Sequence, residues 1–248
     1  PSMLLSQPVK KQNFRGLLYS TLQPVEIIVE NGAISQVKSY KPIGGERLRM
    51  IAPGFIDVQV NGYAGVSFTD DNLTISGVKK ATEGLWKEGV TTYLPTIITA
   101  PGDLIRRNLT ILRNSLDIPE IVASIPGFFL EGPYISPLDG YRGAHNLQFV
   151  RTPDWDEFST FIEASGHNIL KVTLAPESEG AMEFIDKCTK AGIVVAIGHH
   201  NATSSEVNEA VKRGARISTH LGNGCANMIH RHENPLWPQM ANDRLVPT

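Results

Sequence analysis

Glu131, His199 and His220 are the residues of this sequence best suited to do chemistry. Each follows a candidate strand. Ile-Pro-Gly-Phe-Phe-Leu ends in Glu131-Gly132-Pro133, Ile-Val-Val-Ala-Ile-Gly ends in His199-His200-Asn201, and Arg-Ile-Ser-Thr ends in His220. One carboxylate and two imidazoles make a donor set for a borderline divalent cation such as zinc, with a coordination position left open. Taken singly, each has a plainer reading. A Glu after a strand can cap a helix or sit solvated in a loop, and a His at a strand end can be a hydrogen-bonded structural residue. His199 and His200 are adjacent and must point in different directions, so at least one of them is structural. The metal reading gains its weight from convergence, because the three residues end three different strands of one expected rim.

A second cluster follows His220. Thr219-His220-Leu221-Gly222-Asn223-Gly224 precedes Arg231-His232-Glu233-Asn234-Pro235. Backbone amides around Asn223 and Gly224 could approach an anion without side-chain obstruction. Arg231 could pair bidentately with a phosphate. An ordinary loop with a solvated Arg explains the same residues equally well. His145, within Arg142-Gly143-Ala144-His145-Asn146, either contacts substrate or braces its loop. Cys225 has no base at a fixed spacing and reads as a spectator thiol, and Cys188 reads as core. Trp86 and Trp155 read as helix packing, Trp237 as packing or a subunit contact. No nucleophile elbow and no Walker loop is present.

These residues need a scaffold, and the alternation of patterns supplies one. Apolar runs at 54–60, 91–98, 125–130, 169–175, 194–198 and 216–219 read as six strands, and amphipathic stretches at 74–88, 103–115, 154–164, 180–190 and 203–213 read as helices. Thr203 followed by Glu206 resembles a capping box, and Gly89, Gly192 and Gly214 suit helix C-termini. Such alternation specifies parallel strands joined by helical crossovers, in either a doubly wound sheet or a (β/α)8 barrel. The first strand runs into Gln59-Val60-Asn61-Gly62 rather than G-x-G-x-x-G, which weighs against a dinucleotide fold. In a barrel, the C-terminal ends of the strands form the active face. The first ~50 residues are different: 25–30 and 33–37 flank Asn31-Gly32, a strong hairpin signal. Residues 1–50 therefore read as a small β segment and 51–248 as the (β/α) barrel.

Composition narrows the function classes. The 248 residues are 41% hydrophobic and 19% charged, and 23 basic against 25 acidic side chains give a formal net charge of −2. That is an ordinary globular balance without the basic footprint of a nucleic-acid binder. No apolar stretch is long enough to span a bilayer, and the N-terminus lacks the apolar core of a signal peptide. Two cysteines are too few for a disulfide framework, so a reducing, cytoplasmic setting is expected.

Pro53-Gly54-Phe55-Ile56-Asp57-Val58-Gln59-Val60-Asn61-Gly62, Leu130-Glu131-Gly132-Pro133, Gly198-His199 and Thr219-His220-Leu221-Gly222-Asn223 together resemble the N-acetylglucosamine-6-phosphate deacetylases of the amidohydrolase superfamily. Glu-Gly-Pro alone is weak, whereas the four motifs in this order and spacing are highly specific. The resemblance implies a (β/α)8 TIM-type barrel with a small β-sandwich, and hydrolysis of the acetamide of N-acetylglucosamine 6-phosphate to acetate and glucosamine 6-phosphate. It places the metal ligands on Glu131, His199 and His220. Gln59-Val60-Asn61 stands where many amidohydrolases carry His-x-His, so it implies one divalent metal, zinc first and iron second. It also implies substrate contacts at Gln59, Asn61, Ala144 and His145, with His145 tentatively catalytic. Phosphate contacts fall at Asn223, Gly224 and Arg231, the last often reaching from the neighbouring subunit of a homodimer.

The family's general acid/base is an Asp at the end of strand eight. Six strands are legible here, and two further βα units of about 30 residues each would be needed to reach it, so the chain is expected to be part of a longer protein. Asp139, Glu233 and Asp243 have the wrong context to replace that Asp. Two alternatives remain at this level: a related amidohydrolase acting on another N-acetyl sugar phosphate or a cyclic amide, and a catalytically silent fragment.

Overall fold

The structure is a computed structural model describing residues 10–248. It divides into two compact units, one ending at Gly54 and one running from Phe55 to Thr248. The part of the expected β segment that falls in residues 1–9 lies outside the described residues.

The first unit holds β1 (Lys11–Leu18), β2 (Pro24–Glu30), β3 (Ala33–Ser39) and β4 (Met50–Ile51) in one sheet ordered β3-β2-β1-β4. The expected hairpin is present: β2 and β3 pair antiparallel from Glu30↔Ala33 onward. Asn31 and Gly32 both take positive φ, 53° and 82°, as a type I′ turn requires.

The second unit opens with β5 (Phe55–Val60) and a small hairpin of β6 (Gly62–Tyr63) and β7 (Val66–Ser67). Then follow α1 (Ile75–Lys87), β8 (Val90–Ile98), α2 (Gly102–Ser115), α3 (Pro119–Val122), β9 (Phe128–Glu131), α4 (Trp155–Ala164), β10 (Ile169–Leu174), α5 (Ala181–Lys190), β11 (Val194–Ile197), α6 (Ser204–Arg213), β12 (Ala215–Ser218), α7 (Leu236–Met240) and β13 (Val246–Pro247). The strands form one sheet in the order β13-β12-β11-β10-β9-β8-β5, with every pair parallel. Each new strand adds beside the previous one and the order never reverses. That is the sequence of a barrel; a doubly wound sheet turns back at a switch point.

Two expectations need correction. The sheet has seven strands rather than six, because Val246 and Pro247 pair with Ile217 and Ser218. A two-residue segment ending in Pro carries no readable period, and Pro is tolerated on a sheet edge. The third strand begins at Phe128, after Pro126 and Gly127, and includes Glu131, which pairs with Thr173 and Ile98. Glu131 is therefore held by the ladder itself and not by the loop beyond it.

The helices pack on one face of the sheet through their apolar stripes. Ile105, Leu109 and Leu112 of α2, Phe158 and Phe161 of α4, and Phe184, Ile185 and Cys188 of α5 are all buried at helical spacing. Local caps fix where the helices start. Asp154 accepts from the amides of Asp156 and Glu157, and Thr74 accepts from Gly77. Thr203 and Glu206 form the expected reciprocal capping box on α6. Thr203→Ala is expected to destabilise the protein by about 1 kcal/mol. The urea midpoint measures this, and an unmoved midpoint would show that α6 is fixed by packing alone.

Candidate metal centre

Glu131 ends β9 with a side chain only 2% exposed. His199 lies two residues past β11 and His220 two residues past β12, and both have left-handed backbones, with φ of 50° and 31°. Non-glycine residues in that region are uncommon and need support. Here the Ser136 amide donates to the His199 carbonyl at 2.9 Å, and the Asn223 amide donates to the His220 carbonyl at 2.8 Å. The His220 amide donates to Thr248 Oγ1 at 3.1 Å. The turns aim both rings back over the strand ends.

There the three side chains meet. Glu131 Oε1 is 2.7 Å from His220 Nε2 and 3.4 Å from His199 Nε2, and the two Nε2 atoms are 3.2 Å apart. In a tetrahedral zinc site with bonds of 2.0–2.1 Å, neighbouring donors stand about 3.3 Å apart. Two of the three edges, 3.2 and 3.4 Å, match one face of such a tetrahedron, and the third is a 2.7 Å hydrogen bond between Glu131 and His220 that an ion between them would open. His199 Nδ1 donates to the Tyr141 carbonyl at 2.9 Å, which leaves its Nε2 lone pair turned into the cluster, the tautomer that a metal ligand needs. Among the described residues, these three are the group of His, Cys, Asp and Glu side chains placed to share an ion.

The electrostatics are those of a ligand set. Burial opposes ionisation of Glu131, but hydrogen bonding with His199 and His220 and the nearby His145 outweigh it, and hold the carboxyl well below the usual range. Burial likewise works against protonation of His220, and its bond to Glu131 overcomes this and raises its pKa. His145 is buried beside the cluster. Its Nδ1 is 2.8 Å from Thr99 Oγ1, its Nε2 is 3.9 Å from Glu131 Oε2, and its ring meets that of His199 edge-on at 4.4 Å. Burial, reinforced by His199, pushes its pKa down to about 4, so the ring is neutral at pH 7.

Glu131, His145, His199 and His220 line a cleft of about 1010 Å³ together with Gln59, Asn61, Ala144 and Asn223. Gly224 and Arg231 are not in that lining. Gly224 sits behind His199, where an added Cβ would stand 2.8 Å from the His199 backbone nitrogen. Arg231 is exposed, and its carbonyl accepts from Trp237 Nε1 at 2.8 Å. His200 is buried away from the cluster, its Nδ1 accepting from the Ala202 amide at 3.1 Å, so it is the structural member of the adjacent pair. Gly224→Ala should push His199 out of line and weaken zinc binding about tenfold or more. Competition with a chromogenic chelator reads this out, and unchanged affinity would show that the loop yields without moving the ring.

Two contributors were not read from the sequence. Thr99 braces His145 from just beyond β8, a strand end carrying a polar residue like those of its neighbours. Tyr141 acts through its backbone carbonyl, which no side-chain pattern reveals.

No protein-family model matches the chain. Among curated proteins, it is 36% identical over 202 residues to N-acetylglucosamine-6-phosphate deacetylase of Danio rerio, covering 80% of this chain and 49% of that protein. It is 34% identical over 229 residues to the Mus musculus protein of the same name, covering 91% and 54%. Among solved structures, N-acetylglucosamine-6-phosphate deacetylase from Pasteurella multocida superposes with a TM-score of 0.80 at 26% identity, covering 96% of this chain and 64% of that one. The Mycobacterium smegmatis enzyme, a mutant in complex with N-acetyl-D-glucosamine-6-phosphate, gives 0.78 at 25%, covering 96% and 62%. The chain spans about half the length of the curated relatives it matches. In sequence and in fold alike, the chain is similar to the N-acetylglucosamine-6-phosphate deacetylases over about half the length of the curated ones, and its curled parallel sheet is that of part of a TIM-type barrel.

Proposed function

We propose that the chain is the metal-binding part of a hydrolase that removes the acetyl group from N-acetylglucosamine 6-phosphate. The observation that carries this reading is the meeting of Glu131 Oε1, His199 Nε2 and His220 Nε2 within 3.4 Å of one another, lining the cleft. The three residues would hold one divalent ion, zinc first and iron second. When bound, that ion supplies Lewis-acid polarisation of the acetyl carbonyl and acidifies water at neutral pH.

The remaining roles belong to the chain. Neutral His145, held at Nδ1 by Thr99, presents Nε2 to the cleft and donates to the carbonyl oxygen as negative charge develops there. Gln59, Asn61 and Ala144 orient the sugar and its acetamide. Asn223, which lines the cleft and whose backbone amide is taken by the His220 carbonyl, offers its side-chain amide to the phosphate, and the exposed Arg231 provides charge, which it brings to the phosphate of a neighbouring subunit in a homodimer. Proton transfer is assigned, by the resemblance, to an Asp on an eighth strand, outside the seven strands described; Asp139, Glu233 and Asp243 do not line the cleft. The reading implies amino-sugar metabolism in the cytoplasm. No helix among the described residues is long and apolar enough to cross a membrane.

Acetate release from N-acetylglucosamine 6-phosphate by a protein that joins this chain to the strand-eight Asp, assayed with and without chelator, tests this. Release that stops on chelation and returns with zinc is expected. A zinc-loaded protein that releases no acetate would overturn the reading. Arg231→Ala should raise KM for the phosphorylated sugar about tenfold with little change in kcat, as expected for loss of a charged hydrogen bond. An unchanged KM would remove Arg231 from the phosphate site.

A further inference from the structure

Lys171 is the one charged residue of β10, and it is 3% exposed. It lies on β10 beside Phe129 of β9, and its Nζ stands 3.7 Å from the centre of the Phe129 ring. The same atom donates to the carbonyl of Val58 at 2.9 Å. Val58 belongs to β5, which is separated from β10 in the sheet by β8 and β9. Along a flat sheet, three strand spacings come to about 14 Å, so this contact bridges the interior of a curled sheet.

The acceptor is the second half of the argument. β5 ends the sheet among the described residues, and its only ladder is with β8. That ladder is broken where Val58 sits: the register passes from Asp57↔Tyr93 directly to Val60↔Pro95. Pro95 has no N–H to give. The ladder is thus interrupted along the stretch of β5 that leads into Gln59 and Asn61, and Lys171 provides a bond there. Burial pushes the Lys171 pKa down to about 8, with the Glu131 and Asp57 carboxylates opposing the shift. A buried amine with one bonded acceptor and an aromatic face fits a fixed strut.

We infer that Lys171 is a positioning residue: reaching across the interior from β10, it replaces the missing ladder partner of Val58 and sets the rim carrying Gln59 and Asn61 against the Glu131–His199–His220 cluster. The consequence for substrate rests on the deacetylase reading; the consequence for β5 does not.

Hydrogen exchange of the zinc-loaded chain tests both. In Lys171→Met, which keeps the apolar stem against Phe129, amides of residues 55–60 should exchange about tenfold faster. Amides of β9, β11 and β12, and the zinc affinity, should stay within about twofold. KM for N-acetylglucosamine 6-phosphate should rise with kcat nearly unchanged. Unchanged exchange at 55–60 would overturn the inference. So would acceleration spread evenly over all strands, the mark of an ordinary core residue. If Lys171→Met does not fold, Lys171→Arg retains a donor of sufficient reach; preserved protection of 55–60 supports the strut and selective loss overturns it. Absent acetate release from the unaltered protein would end the substrate reading while leaving the exchange result to stand.

Discussion

Glu131→Gln is expected to cost the chain its metal. The substitution keeps the shape of the side chain and removes its charge, leaving two neutral imidazoles and an amide oxygen around the ion. Loss of a residue that only supports a ligand weakens metal binding by about 10–100-fold, so loss of the anionic ligand should exceed about 100-fold. Acetate release should fall in parallel and recover only in part with excess zinc. The variant should fold, because the backbone of residue 131 stays in its ladder with Thr173 and Ile98. Zinc titration beside a chelator, with circular dichroism as the folding control, gives the result. Normal affinity in the folded variant would take Glu131 out of the coordination sphere.

Phe158→Ala should do the opposite, lowering stability and leaving the ion in place. Phe158 is fully buried at the centre of an aromatic cluster, with ring centroids 4.9 Å from Phe184, 5.7 Å from Trp155, 6.3 Å from Tyr134 and 6.4 Å from Phe161. Truncation leaves a cavity that rigid neighbours on α4, on α5 and in the loop after β9 cannot fill, at a cost of about 3–5 kcal/mol. Below the unfolding transition, zinc affinity should be unchanged, since no ligand lies on α4. Urea denaturation checks the first statement and chelator competition the second. A loss under about 1 kcal/mol would mean that the cluster collapses onto the space.

Much of this was legible because apolar runs and ligand types coincide. Phe128–Leu130 and Val194–Ile197 stand out as unbroken apolar runs, most other strands as apolar runs interrupted by polar residues, and Glu131, His199 and His220 stand at three strand ends. What escaped did so for physical reasons. Val246–Pro247 is too short to carry a period. Pro238 within Leu236–Met240 conceals α7, since Pro is read as a helix breaker although the first turn tolerates it. Arg231 has the right chemistry for phosphate, but nothing in a sequence states which way a loop faces, and the structure leaves it outside the cleft. Nothing in the sequence singles out Lys171, because its partner is 113 positions away.

The left-handed backbones at His199 and His220 limit what the centre can become. Side chains that tolerate such a conformation are chiefly Gly, Asn, Asp and His. Of these, only Asp and His bind transition metals well through the side chain. A thiolate at either position would carry a backbone penalty of about 1–2 kcal/mol before any bond formed. Descendants of this sequence can thus drift between nitrogen and oxygen donors more easily than towards sulfur, so the peptide chain itself biases the centre against soft metals such as copper(I).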